Sequence, residues 1–399
     1  MNFINMMNLM NMMNLINFTN LINFQTKCSI FAAQNQKRQM AKKRILMAMS
    51  GGIDSTVSAI LLLEQGYELV GATFRTFDSI KESCIAKERG CCSIDSIMEA
   101  KHMSEQLGFE HHIVDFRQAF KEHVIQNFIQ EYMNGRTPNP CVLCNSSIKW
   151  GMLLDKADEL GCDGIATGHY ARIVQQNGHW FLGTAADTQK DQTYFLWRLT
   201  ESNLARTIFP LGNLTKPEVR QIAADHGFVK LSQKTESQEI CFIPDNDYRR
   251  FLSENVPDFA TKVTPGDFVD ADGHKIGTHQ GFPFYTIGQR KGLVVAFGTP
   301  KYVTRINAAE NTVTLGDRND LLTTTLHATD CIFTDPEQLL ENPVVEARIR
   351  YRSPAAKATL RIEGTTAELT FAEPVWGVTP GQSLVLYQDG LVVGGGLIC

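Results

Sequence analysis

Apolar and polar positions follow two different rhythms along the chain. From Arg44, short apolar runs trade places with amphipathic stretches. Residues 44–49 read as a strand. Residues 54–65 read as a helix that Asp54 and Ser55 open, Ile60, Leu61 and Leu63 pack, and Gly66 stops. The series continues with a strand at 68–74, a helix at 93–107, a strand at 111–114, helices at 117–133 and 148–160, and a strand at 163–167. Such alternation predicts a parallel sheet with helices on both faces. Past about residue 240 the rhythm shortens, with turns at Thr264-Pro265-Gly266-Asp267 and Asp272-Gly273. Strands are then expected at 312–315, 344–351, 358–362, 367–371, 383–387 and 391–393, which predicts a small barrel or sandwich. The expected fold class is therefore α/β. A Rossmann-like parallel-sheet domain (41–240) precedes a small central α+β/β domain (241–305) and a C-terminal β-barrel (306–399).

The first forty residues fit neither rhythm. Asn recurs at every third position from Asn2 to Asn23, a period of neither helix nor strand. The segment 1–40 carries Lys27, Lys37 and Arg38 and no acid. It lacks the continuous apolar run of a secretory signal. It reads as a disordered or non-native extension, with Met40 as a natural start.

Composition narrows the function classes. Against 43 acidic residues stand 38 Lys and Arg, for a net charge of −5. Any nucleic-acid contact must then come from local basic surface. No run of about 18 apolar residues occurs, so no membrane helix is expected. Ten cysteines among 399 residues are too sparse for a disulfide scaffold and point to a reducing, cytoplasmic setting. They read as core, catalytic, redox or metal residues.

The most informative stretch is Ala48-Met49-Ser50-Gly51-Gly52-Ile53-Asp54-Ser55, between the first strand and the first helix. Two glycines let backbone N–H groups approach an anion, Ser50 and Ser55 add hydroxyls, and the helix N-terminus adds partial positive charge. Asp54 either caps that helix or binds a magnesium ion that bridges phosphates. No Gly-Lys-Ser/Thr follows, and G-x-G-x-x-G is absent. S-G-G-x-D-S on a strand–turn–helix resembles the PP-loop of the ATP pyrophosphatases. That resemblance implies cleavage of ATP between its α and β phosphates and adenylation of a carbonyl oxygen. Thr167-Gly168-His169-Tyr170 ends a later strand at the same sheet edge, and His169 reads equally as a site or a core histidine.

Arg136-Thr137-Pro138-Asn139-Pro140-Cys141-Val142-Leu143-Cys144-Asn145 reads as a rigid loop entering a helix. Cys144 is expected at or near the start of the helix through Ile148, where thiolate is favoured. A second cysteine, Cys241, lies in the apolar run 240–243. An adenylating loop with two such cysteines suits replacement of a carbonyl oxygen by sulfur. A persulfide supplies the sulfur, and a second thiolate attacks it and leaves a disulfide.

On these residues the chain resembles the tRNA-specific 2-thiouridylase family, from Lys42 to near the C-terminus. The matching stretches are 49–55, 136–145, 166–170, Lys190-Asp191-Gln192, 240–243, 286–292, Arg350-Tyr351 and 378–382. The resemblance implies ATP binding by Ala48, Met49, Ser50, Gly51, Gly52, Ile53, Asp54 and Ser55, with Phe74 and Gly168 lining the nucleotide. It implies Cys144 as nucleophile, Cys241 as persulfide carrier, and a disulfide between them during turnover. It implies that Asn139, Pro140 and Cys141 face the target uridine, and that Lys190, Asp191, Gln192, Arg350 and Tyr351 touch tRNA. It further implies substrate-bound Mg2+, a cysteine desulfurase or sulfur-relay protein as donor, and a monomer without a metal site of its own. One departure stands out. Some relatives carry Asp at the position of Cys141, so an acid–base role there does not transfer. Cys141, Cys144 and Cys241 as ligands of a metal or iron–sulfur cluster form the alternative.

Cys91-Cys92 read as a loop with two thiols or as a labile sulfur or metal site; Cys28, Cys84, Cys162, Cys331 and Cys399 read as structural or incidental. Arg348, Arg350 and Arg352 alternate, which on a strand forms a basic stripe, and Gln289-Arg290-Lys291-Gly292 offers a second basic point. Two other functions compete with thiolation: an amidating ligase using ammonia, and a nucleotide-sensing RNA-binding module without catalysis.

Overall fold

A computed structural model describes residues 43–77, 94–234, 240–293 and 299–399. The expectations for 1–40, Cys28, Cys84, Cys91 and Cys92 fall outside the described residues.

Strands β1 (Arg44–Ala48), β2 (Glu68–Arg75), β3 (His111–Asp115), β4 (Gly164–Ala166) and β7 (Thr207–Ile208) form a parallel sheet in the order β3-β2-β1-β4-β7. Leu46 pairs with Val70 on one side and Ile165 on the other, and all three are buried. Burial on both faces explains why these strands read as continuous apolar runs. Helices α1 (Ile53–Glu64) and α2 (Ile94–Leu107) connect the first three strands. The chain moves outward from β1 to β3 and then returns to place β4 on the other side of β1. Loops leaving β1 and β4 therefore diverge and open a crevice at their carboxyl ends, where ligands of such sheets bind.

Two long helices carry the other half of this domain. Helix α3, residues 117–133, has three segments: Arg117–Phe120, wider π-type turns at Lys121–Ile125, and Gln126–Met133. It buries Phe120, Val124, Phe128 and Tyr132 in a cluster with Phe242, Ile243 and Phe251. Helix α4, residues 140–159, is likewise wide-turned over Cys144–Met152. It starts eight residues before the expected 148. Pro140 provides the first-turn φ, and its missing N–H costs nothing there.

The central sheet joins β8 (Gly266–Val269), β9 (Lys275–His279), β10 (Tyr302–Asn307) and β11 (Thr312–Gly316) in the order β10-β11-β8-β9. The boundary expected at 305 thus falls within β10. The last six strands are β12 (Leu322–Phe333), β13 (Val344–Arg348), β14 (Ala356–Glu363), β15 (Thr366–Trp376), β16 (Ser383–Gln388) and β17 (Leu391–Ile398). Pairing of β12 with both β15 and β17 closes them into an antiparallel barrel. A hairpin of β5 (Arg172–Gln176) and β6 (His179–Gly183) hydrogen-bonds to β17, so a piece of the first domain extends the barrel sheet. The fold is α/β with a Rossmann-like sheet, a central β domain and a C-terminal barrel.

One strand reading fails. The expected strand 344–351 stops at Arg348, and the chain bends through Ile349–Ser353, with Ser353 N–H bonded to the Arg350 carbonyl at 3.1 Å. Arg348, Arg350 and Arg352 therefore form no single-faced stripe.

Candidate active site

The glycine turn leaves β1 at the crevice. Gly51 takes φ +70°, and a Cβ there would stand 2.4 Å from the Ser96 carbonyl oxygen. Only glycine fits without a shift of α2. The Ser50 N–H donates to Ser55 Oγ at 3.2 Å, and Ser55 Oγ donates to the Gly52 carbonyl at 3.0 Å. Behind the turn, the Thr73 hydroxyl donates to the Met49 carbonyl at 2.7 Å. The turn is thereby fixed before any ligand arrives.

Asp54 does not cap α1. The N-cap is Gly52, with no side-chain bond. Instead the Asp54 carboxylate receives Lys216 Nζ at 2.7 and 2.9 Å and the Tyr170 hydroxyl at 2.9 Å. Lys216 is 6% exposed and begins helix α5 (Lys216–Asp225). Sequence reasoning missed it. The Thr215-x-x-Glu218 capping box was a readable sign of a helix start, and Glu218 accepts from the Thr215 N–H at 2.7 Å. Nothing local marks an ion pair across 162 positions.

From β4, Gly168 backs onto the glycine turn: a Cβ there would lie 2.8 Å from Asp54 C and Ser55 N. His169 follows. Its Nδ1 is 2.7 Å from Thr167 Oγ1 and its Nε2 is 3.4 Å from Lys149 Nζ, on helix α4. Burial, with the Lys149 charge beside it, holds the His169 pKa well below the usual histidine value, so the ring is neutral. It is a half-buried spacer beside Lys149, the second residue sequence reading missed. Phe74, at the end of β2, packs against Phe116 with ring centroids 5.5 Å apart and borders two core clusters.

The cysteine loop enters α4 with Asn139 at the N-cap and Pro140 and Cys141 in the first turn. Cys144 is therefore not at the helix start; it opens the wide-turned segment one turn further on. Such segments concentrate at functional sites. Cys141 is exposed, yet the protein mass around its sulfur raises the thiol pKa, and Lys149 opposes that shift. Cys144 is half-buried and packs against the cluster that contains Phe242 and Ile243, with Ile240 on the same cluster. The two neighbours of exposed Cys241 in sequence thus share one apolar cluster with Cys144. Cys141 is a free thiol.

The residues expected to touch tRNA also make contacts within the protein, and Asp191 among them is buried. Asp191 is 3% exposed; it accepts from the Ala185 N–H at 3.0 Å and the Thr193 hydroxyl at 2.8 Å and pairs with Arg348 at 3.3 Å. Gln192 accepts the Tyr170 N–H at 2.9 Å. Arg350 donates to the carbonyls of Ile287 and Gly377 and to Thr379 Oγ1, while Tyr351 packs on Phe195 at 4.3 Å. The Lys190 N–H is bonded to Asp187 at 3.2 Å. The Asp191–Arg348, Phe195–Tyr351 and Ile287–Arg350 contacts join the barrel to the other two domains.

The arrangement brings the glycine turn, a cation beside His169 and two cysteine segments to one end of a parallel sheet. Known proteins match it along the chain. Residues 43–245 match the tRNA methyl transferase HUP domain, 250–317 the tRNA methyl transferase PRC-barrel domain, and 323–398 the aminomethyltransferase beta-barrel domain. The tRNA-specific 2-thiouridylase MnmA of Amoebophilus asiaticus is 47% identical over 90% of this chain and 96% of its own length. That of Cytophaga hutchinsonii is 46% identical over 90% of this chain and 98% of its own. A solved 4-thiouridine synthetase–RNA complex with bound ATP aligns loosely, at TM-score 0.33 and 20% identity, over 55% of this chain and 52% of that one. No described helix is long and apolar enough to cross a membrane. With relatives close to half identical along nine-tenths of its length, the chain belongs to the tRNA-specific 2-thiouridylase family.

Proposed function

We propose that this chain uses ATP to replace O2 of the wobble uridine of tRNA with sulfur. The observation that carries this reading is the reach of helix α4. Its Cys144 packs on the cluster that flanks Cys241, and its Lys149 contacts His169, next to the Gly168 that abuts the glycine turn. One helix thus spans from the sulfur segments to the nucleotide turn.

In this mechanism Ala48 through Ser55 cradle the ATP phosphates, with Phe74 and Gly168 beside the nucleotide. The uridine O2 attacks the α-phosphate, and pyrophosphate leaves with the electron pair of the broken P–O bond. A uridine in an anticodon loop flips out at modest cost. Asn139, Pro140 and Cys141 stand at the mouth of α4 to receive it. The outer sulfur of a Cys241 persulfide attacks C2, and AMP departs with the old oxygen. The Cys144 thiolate then attacks the Cys241 sulfur, which breaks the S–S bond and leaves 2-thiouridine and a Cys144–Cys241 disulfide. A thiol reductant returns two electrons to reset the pair. Asp54 fits magnesium that arrives with ATP, since such ions need few carboxylates besides phosphates. Any such ligation shares Asp54 with Lys216. Sulfur comes from a cysteine desulfurase or relay protein, tRNA contact involves the segments of Lys190–Gln192 and Arg350–Tyr351, and the enzyme works as a cytoplasmic monomer.

The test is nucleoside analysis by mass spectrometry of tRNA from a strain lacking this activity, complemented by the parent chain, Cys144→Ser or Cys241→Ser. The parent restores 2-thiouridine, and each variant lowers it by about a thousandfold or more, as for loss of a nucleophile. Undiminished 2-thiouridine with both variants would falsify the thiol mechanism.

A further inference from the structure

The cysteine loop is bound from outside its own domain. Prolines at 138 and 140 remove two N–H donors, and the loop has no strand or helix to pair its carbonyls. A turn of the barrel meets this need. Gln382 Nε2 donates to the Thr137 carbonyl and to the Pro138 carbonyl, both at 3.0 Å. The Pro380 carbonyl accepts the Thr137 N–H at 2.9 Å. Gly381, at φ +88°, lies so close that a Cβ would stand 2.9 Å from the Thr137 carbonyl oxygen. Next along, the Ser383 carbonyl accepts the Tyr194 hydroxyl at 2.9 Å. The turn itself is stiff: Thr379 Oγ1 donates to the Gly377 carbonyl at 2.9 Å, and Arg350 ties that carbonyl to Ile287 of the central domain.

We propose that Gln382 is a positioning residue for sulfur transfer: its carboxamide fixes the 137–138 backbone and so sets where α4 begins and where Cys141 and Cys144 stand. This rests on the thiol chemistry proposed above. The geometry demands a specific group. One carboxamide nitrogen carries two N–H donors and serves two carbonyls at once. Glutamate has the same size but turns oxygens toward those carbonyls. Leucine keeps the volume and offers no donor.

The test compares the full chain with Gln382→Glu and Gln382→Leu in single-turnover thiolation of unmodified tRNA. Cys241 is loaded with sulfur beforehand, and the load is quantified. Alkylation of Cys144 by iodoacetamide reports on the loop, with exposed Cys399 as internal reference. Both variants are expected to melt near the parent, carry the same sulfur load and keep the same half-saturating tRNA concentration. Sulfur transfer should slow at least about tenfold, as for misplacement of a reacting group. Cys144 alkylation should change while that of Cys399 does not. Transfer at the parental rate in folded Gln382→Glu overturns the proposal. So does a raised half-saturating tRNA concentration at unchanged rate, which would make Gln382 a docking residue. Should glutamate prevent folding, Gln382→Ala removes the donors without adding charge, and the same outcomes decide. A parent chain that forms no 2-thiouridine sinks the thiolation reading itself; an active parent with fully active variants sinks only the role of Gln382.

Discussion

The glycine turn at 50–55 and the cysteine loop at 136–145 occupy two ends of the proposed site and are held in opposite ways. The turn satisfies itself with Ser50, Gly52 and Ser55 inside a single strand–turn–helix. The loop has little of its own and borrows Gln382 and Pro380 from the barrel. A phosphate cradle acts by being in place already, since preorganised donors cost no rearrangement during reaction. In the proposed mechanism the loop has to receive a nucleobase and bring the Cys144 thiol to the Cys241 sulfur. Holding it by a neighbouring domain rather than by its own ladder suits that task.

The sharpest way to break the comparison is at the Asp54–Lys216 pair, which ties the turn to α5. Lys216→Met should cut ATP-dependent adenylation by about a hundredfold, the scale for losing one preorganised charge. It leaves the Asp54 carboxylate hydrogen-bonded to the Tyr170 hydroxyl but without its ammonium partner. Stability should fall by about 1–3 kcal/mol, below the figure for fully buried pairs because Asp54 keeps 31% exposure. Adding Asp54→Asn should recover most of the stability and none of the activity. Pyrophosphate release and thermal melting measure the two separately. Full activity in Lys216→Met would show that the turn needs no distant support.

A smaller effect is expected where the two ends meet. Lys149→Gln should slow single-turnover thiolation by roughly tenfold, a modest share of what an electrostatic donor supplies. It should also raise the Cys141 pKa further, because Lys149 is the group that opposes the rise. Alkylation of Cys141 at fixed pH should then be slower than in the parent. An unchanged Cys141 profile would separate Lys149 from the cysteine loop.

The same contrast governs what could be read from sequence. The glycine turn was legible because its glycines, serines and flanking strand and helix are contiguous, and each residue type has a local reason. The barrel strands were legible from alternation, as in Ala358 and Leu360 facing the core. Lys216, Lys149 and Gln382 were not, because each matters through a partner far away in sequence. The helix start was read eight residues late because Pro140 suits a first turn as well as a loop. Arg350 read as surface charge, yet its guanidinium binds backbone carbonyls between domains. An arginine fork used on carbonyls looks the same in sequence as one used on phosphate.

The mildest prediction concerns the rear of the glycine turn and separates its own stability from the loop's borrowed support. Thr73 donates its hydroxyl proton to Met49, so at its oxygen it accepts from His111 Nε2, 2.8 Å away. That assigns the proton of neutral His111 to Nε2 and leaves Nδ1 buried without a partner. Burial, then the charges of His112 and Lys101, lower the His111 pKa from 6.5 to about 4. The folded state thus resists a proton that the unfolded chain accepts. Stability from this group is complete above pH 6.5 and declines as pH falls toward 4. His111→Gln keeps an N–H for Thr73 and removes the titration. Melting temperature followed from pH 7.5 to 4.5 should fall less in the variant than in the parent, while thiolation at pH 7.5 stays within about twofold, the usual reach of an interaction near 0.5 kcal/mol. Parallel pH curves would mean that acid acts elsewhere, and a large loss of thiolation at pH 7.5 would mean that the turn leans on His111 for geometry as well as for stability.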